Sequence, residues 1–305
     1  MRLFSMSNVF SALALVMVCG TTVVWAQGAK PATSQDQSLT TKDGAEIKIT
    51  YFKSQAGQDA PVVVMLHGKG SNRLVWKGYA EALQKVDFAV VTVDLRGHGE
   101  SVSPGDSGKK TDSTPKARDY ALMIAGDMEA VKKFLYEEHQ KKELNMNKLA
   151  IVAADMSTPV AIAYTELDWE KVPYDDAPTL ALRTPRGQDV QALILLSPEV
   201  SAPGLVVTKS LNVLRNLGRP VLVCVGSKNG SDLSAAKKTY DQLSPKEPKE
   251  ESLRYVYLEQ YDTKFRGTDL IGKGFKVEQH MYNFLVKHLK EHKSEWRDRQ
   301  SKLLD

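Results

Sequence analysis

Three short stretches of this chain combine residue types and positions that could do chemistry. His67-Gly68 closes Pro61–His67, an apolar β-branched run that reads as a strand buried on both faces. A glycine there lets the backbone turn sharply, so an amide just beyond, near Lys69, can point at a developing oxyanion. Asp94-Leu95-Arg96-Gly97-His98-Gly99-Glu100-Ser101 follows the next apolar run, and its glycines make a tight turn at the carboxyl end of the sheet. Leu149–Met156 leads into Ser157-Thr158-Pro159, a strand that breaks abruptly into a helix. No group of His, Cys and carboxylates has metal-ligand spacing, and Gly68-Lys69-Gly70-Ser71-Asn72 lacks the spacing of a phosphate-binding loop. Neither a metal nor a cofactor is expected.

The elements that must position these stretches follow a regular order. Glu46–Lys53 alternates like an edge strand; Phe88–Asp94, Lys148–Ala154, Ala192–Ser197 and Val221–Gly226 repeat the buried-strand signature, and Leu253–Tyr261 is a more alternating strand. Helical patterns lie near Leu74–Val86, Lys116–His139, Thr158–Leu167, Leu233–Leu243 and Phe275–Lys293. That β-α-β-α order predicts a three-layer, doubly wound, mostly parallel α/β sheet. Asp168–Asp189 is long and Pro-rich for a connection, but Ser201–Arg219 is too short for a separate cap domain.

Arg2 followed by the apolar run Val9–Trp25 and by Val24-Trp25-Ala26 reads as an export signal over residues 1–26, with an uncleaved anchor as the alternative. No other stretch approaches a spanning length of about 20 apolar residues, so no membrane span remains after cleavage. Residues 27–37 read as a flexible linker, 38–292 as one domain and 293–305 as a solvated charged tail. The exported protein, periplasmic or extracellular, keeps a single cysteine, Cys224, best read as a small buried hydrophobe. Against 41 Lys+Arg stand 37 Asp+Glu, spread along the chain; this excludes the clustered basic face of a nucleic-acid binder.

His67-Gly68 and Asp94–Ser101, with this strand order, resemble the oxyanion loop and the D-x-R-G-x-G-x-S turn of the α/β-hydrolase superfamily. The likeness is to its esterase and serine-aminopeptidase-like lysophospholipase type, and it covers roughly Thr40 to Lys290. It implies a nucleophile elbow, an acid, a histidine and hydrolysis of esters, amides or peptides. The elbow window is Ala153-Ala154-Asp155-Met156-Ser157: the flanks are small, as a strained turn needs, but Asp155 holds the nucleophile position. Shifting the register to Ser157 would put Asp155 and Pro159 at the flanks, which the steric rule excludes. Asn229 stands where the acid is implied and Arg266 where the histidine is implied.

Carboxylate nucleophiles occur in relatives resembling haloalkane dehalogenases and epoxide hydrolases, but a base must then activate water. Arg266 stays protonated and cannot be that base, and no histidine lies between residues 140 and 279. Asp155 facing Arg266 is therefore expected to form an ion pair in the old centre, with a lowered Asp155 pKa and neutral Asn229 beside it. Lys69, Arg73, Arg96 and Arg266, with the amides near Lys69 and Met156, would attract a small anionic ligand. Residue by residue, the plainer expectation is that Lys69 and Arg73 are solvated and that Arg96 makes a scaffold salt bridge.

Glu199, Asp232 and Asp269 are spare acids. His67 and His98 read as turn residues bonded to backbone, His280 as a packing or surface residue, and His139, His288 and His292 as solvent-facing. The leading expectation is a non-catalytic or weakly active homologue that binds a small molecule or an unspecified envelope partner. The alternatives are a hydrolase using Asp155 and a displaced histidine, and an assembly module contacting partners through Asp168–Asp189.

Overall fold

A computed structural model describes residues 33–102, 115–244 and 254–303. The expected signal segment over residues 1–26, the start of the expected linker and the charged loop Lys246–Glu251 lie outside them. The described residues fall within one compact unit.

The predicted sheet forms with eight strands. These are β1 Ser34–Thr40, β2 Glu46–Phe52, β3 Pro61–Leu66, β4 Ala89–Val93, β5 Asn145–Ala154, β6 Val190–Leu196, β9 Val221–Gly226 and β10 Val256–Tyr261. Their order is β1-β2-β4-β3-β5-β6-β9-β10. β2 runs antiparallel to both its neighbours, β1 and β4, and β4, β3, β5, β6, β9 and β10 pair in parallel. A small hairpin, β7 Ser201–Ala202 and β8 Leu205–Val206, stands apart.

The central strands are buried on both faces, which is why they read as unbroken β-branched runs. Alternate residues part cleanly. Val62, Val64 and Leu66 face a core completed by α2 Ala117–Leu122, α3 Met128–Gln140, α4 Thr158–Trp169, α5 Thr208–Asn216 and α6 Gly230–Leu243. Val63 and Met65 face the other core, covered by α1 Lys77–Gln84 and α7 Val277–Leu285. The three layers follow from that period of two. Cys224 lies wholly inside, where burial pushes its thiol up to about 12, so it packs as an inert hydrophobe.

Several sequence expectations are corrected. Residues 34–37 are not linker: they belong to β1, a polar edge strand whose pattern carries no hydrophobic signal. The helix expected over Lys116–His139 is interrupted by a widened π turn, Met123–Asp127, that carries the buried Asp127 to the Arg96 guanidinium 2.5 Å away. α5 falls in a stretch that showed no helical pattern.

Nor is the charged tail solvated throughout. Arg299 and Ser301 are buried, and Arg299 pairs with Asp189, which also receives Lys132 at 2.8 Å. Lys132 pairs in turn with Asp168, so the network ties α3 and the Asp168–Asp189 connection to the tail. His139 is buried as well: its ring stacks on Trp296, Nε2 lies 2.8 Å from the Arg297 carbonyl, and Nδ1 accepts the Met146 amide. His288 is half-buried and bonded to the Tyr257 hydroxyl at 2.9 Å, whereas His292 is exposed as expected.

Candidate active site and its displaced groups

β5 ends at Ala154, and Asp155 adopts φ +34°, a left-handed backbone that few non-glycine residues tolerate. The turn is braced locally. The Ser157 hydroxyl accepts the Ala154 amide at 3.0 Å, and the Thr158 hydroxyl donates to the Asp155 carbonyl at 2.7 Å. Pro159 in the first turn of α4 suits a helix start, since its missing N–H would be unpaired there anyway. The sharp elbow geometry is thus present, with a carboxylate at its tip.

That carboxylate is bent inward. Asp155 Oδ1 accepts the backbone N–H of Lys69 at 2.7 Å and that of Met156 at 2.6 Å. Those are the two amides that the turn after β3 and the elbow after β5 aim at a single point, as an oxyanion hole does. The other oxygen, Oδ2, is wedged between glycines: a Cβ built on Gly68 would lie 2.6 Å from it, and one on Gly267 only 2.2 Å. Any side chain at either position would strike the carboxylate.

The expected Asp155–Arg266 ion pair does not form. Arg266 Nη2 bonds Glu199 Oε1 at 3.1 Å, and its Nε lies 3.3 Å from Asp232 Oδ2 without hydrogen-bond geometry. Arg266 is held by these two acids and Asp155 by the two backbone amides, so each charge is already partnered. Burial and the nearby Asp155 charge push the Glu199 carboxyl upward, against the pull of Arg266.

Asn229 caps α6. Its Oδ1 accepts the Ser231 hydroxyl at 2.8 Å and, more weakly, the Asp232 amide at 3.4 Å, while Nδ2 donates to Asp232 Oδ2 at 2.9 Å. So Asp232, three residues beyond the vacated acid position, faces the residue in the histidine position. The sequence named Glu199 and Asp232 as spare acids; it offered no sign that both would converge on Arg266.

The histidines near the site are committed to the scaffold. Leu95 N donates to His67 Nε2 at 3.3 Å, which leaves the proton on Nδ1 for the Gly68 carbonyl at 2.8 Å. Burial holds that ring down at about 4, so it stays neutral. His98 Nδ1 bonds the Arg96 carbonyl at 3.0 Å. His280 bonds the Tyr261 hydroxyl at 3.0 Å and stacks on its ring, a packing role.

Lys69 is exposed, and Arg96 is a scaffold ion pair with Asp127 and Asp43. Arg73 departs from its expected solvation. It is buried, with its guanidinium 2.5 Å from Asp94 and also paired to Glu100. Asp94 in turn accepts the Arg73 and Glu100 amides, which locks the Asp94–Ser101 turn. A pocket of about 410 Å³ opens beside Asp155, between Lys69, Ser71, Val75, Arg266 and Asp269. Among the described residues no group of three or more His, Cys, Asp or Glu could hold a metal, and no helix is long and apolar enough to cross a membrane.

The sheet order and the elbow define an α/β-hydrolase fold. A family model described as "alpha/beta hydrolase fold" matches residues 61–203, and the chain has that superfamily's fold. Over 55 residues it is 38% identical to protein phosphatase methylesterase 1 of Bos taurus and 36% identical to that of Homo sapiens. Those segments span 18% of this chain and 14% of each relative.

Among solved structures, a dienelactone hydrolase from Anabaena variabilis superposes with a TM-score of 0.57 at 14% identity, over 85% of this chain and 99% of that one. An esterase of Pyrococcus furiosus gives 0.56 at 16%, over 85% and 92%. An acylaminoacyl peptidase of Pyrococcus horikoshii gives 0.57 at 14%, over 88% and 44%. At such identities the likeness is one of fold.

Proposed function

We propose that this chain is an exported α/β-hydrolase-fold protein that does not hydrolyse esters or peptides at its old catalytic centre and is retained for binding. One observation carries the reading: Asp155 Oδ1 occupies the point where the Lys69 and Met156 amides converge. Acyl transfer needs those donors free for a substrate oxyanion, and a tethered carboxylate competes with it at every encounter. Arg266 adds to this, since a guanidinium between two acids takes up no proton. Hydrolysis through Asp155 and a displaced histidine has less support, because both nitrogens of His67 are already bonded inside the scaffold.

The test compares turnover of short-chain nitrophenyl esters and simple peptides by the purified chain and its Asp155→Ala variant. Both are expected at the buffer rate; turnover by the unaltered chain that Asp155→Ala abolishes overturns the reading. Export is supported by Arg2 and the apolar run Val9–Trp25. Cell fractionation with N-terminal sequencing is expected to find an exported chain beginning at Gln27; a cytoplasmic chain overturns it.

A further inference from the structure

A second cavity, of about 590 Å³, lies where the β1–β2 turn, α3, the Asp168–Asp189 connection and the tail meet. It shares no lining residue with the pocket beside Asp155. Its charge is lopsided: Lys42, Lys132, Lys133, Lys171, Arg186 and Arg299 line it, against one acid, Glu129. Internal pairing absorbs part of that charge. Lys132 and Arg299 are held by Asp168 and Asp189 behind the wall, and Lys171 meets Glu129 at 2.6 Å.

Three cations are left for a guest. Lys42 has no ion pair among the described residues, Lys133 has only a 3.9 Å contact to an exposed Glu137, and Arg186 lies over the Tyr174 ring. Two further observations favour an anionic guest. Arg299 is 3% exposed, yet its Nε has no hydrogen-bond partner. Burial and the neighbouring Lys132 charge hold the Lys171 ammonium below its ordinary range, a mutual repulsion that an anion would relieve. Between the charges the wall is mainly apolar, with Met146, Pro185 and the rings of Tyr136 and Tyr174. A volume in the range of about 300–1,000 Å³ and a few convergent charges on an apolar lining describe a small-molecule site.

We infer that this groove binds an organic carboxylate with an apolar body, its head among Lys42, Arg186 and Lys133 and its chain along Tyr136, Met146 and Tyr174. The site is separate from the old catalytic centre and does not depend on whether that centre turns over. Calorimetric titration of the purified chain with decanoate, decanol and inorganic phosphate tests it. Lys42 and Arg186 are exposed, so Lys42→Ala with Arg186→Ala is expected to fold with an unchanged melting midpoint.

The expected result is saturable decanoate binding near one per chain, at least tenfold weaker in that double variant and unchanged in Asp155→Ala. Decanol and phosphate should each bind at least tenfold more weakly than decanoate. The inference is overturned by any of four results: no saturable decanoate binding, equal binding of decanol, equal binding of phosphate, or a double variant that binds as the parent does. Loss of binding in Asp155→Ala would move the ligand to the old centre and overturn it too.

Discussion

Asp155 Oδ1 lies 2.7 Å from the amide nitrogen of Lys69, a contact that spans 86 residues of chain. It joins the turn after β3 to the elbow after β5 with a charge-assisted hydrogen bond, of a kind worth about 1.5–3 kcal/mol. In a working hydrolase those two turns meet across a substrate. Here they meet across a side chain of the protein.

Removing that side chain should cost stability. Asp155→Ala leaves the Lys69 and Met156 amides without their acceptor and puts alanine, which tolerates a left-handed backbone less well than aspartate, at φ +34°. We expect a loss of about 1–3 kcal/mol in urea unfolding, moderated where water reaches the amides. An unchanged midpoint would mean that these bonds contribute nothing net.

Restoring hydrolysis should need two changes. Asp232 and Glu199 already flank residue 266, so Asp155→Ser with Arg266→His is expected to release nitrophenol from short esters above the buffer rate. Adding Asn229→Asp should lower that rate, because it sets a second carboxylate against Asp232 Oδ2, 2.9 Å from the present amide. A folded double variant that is inert while the triple variant is active would refute this assignment of the acid.

Gly267 should be irreplaceable while Asp155 is present. Gly267→Ala meets Oδ2 at 2.2 Å and must also adopt φ +52°, a combined cost of about 2–4 kcal/mol. In the Asp155→Ala background the clash disappears and only the backbone strain, about 1–2 kcal/mol, persists. Additive losses across this double-mutant cycle would show that the two residues do not touch in solution.

Acid should loosen the fold through His67. Its folded pKa of about 4 lies below the ordinary 6.5, so the unfolded chain binds more protons between those values. Stability is therefore fully present above about pH 6.5, falls as the pH drops towards 4, and reaches its full penalty below that. His288, also held at about 4, adds to the same window. Asn at position 67 cannot titrate, so His67→Asn is expected to flatten the slope of stability against pH over this range. An unchanged slope would exonerate the histidine.

The tail should be essential to the fold. Arg299→Met strips a buried Asp189 of one of its two cations, a loss of about 3–5 kcal/mol where a buried pair is broken from one side. Thermal melting checks it: a midpoint within about 1 °C of the parent would mean that Lys132 alone holds Asp189 in place.

How much of this was legible from residues alone divides along a physical line. Buried parallel strands are hydrophobic at every position, so β3, β4, β5, β6 and β9 announce themselves, and the turns that end β3 and β5 carry short-range steric rules that place the elbow at Asp155. The loss of a base is equally local: Arg266 cannot titrate wherever its neighbours lie. What those strand ends do with their charges is another matter. Residue types alone leave Asp155 a choice between Arg266 and the amides, and Arg266 a choice among four carboxylates.

The choice rests on distances between loops that lie far apart in sequence. Only the folded sheet, by bringing Gly68 and Gly267 against Asp155 and Glu199 and Asp232 against Arg266, decides it. The same holds for the tail, whose charged residues read as solvated until Asp189 appears opposite Arg299. Periodicity and backbone sterics are properties of neighbouring residues; the pairing of charges belongs to surfaces that exist only once the layers have packed.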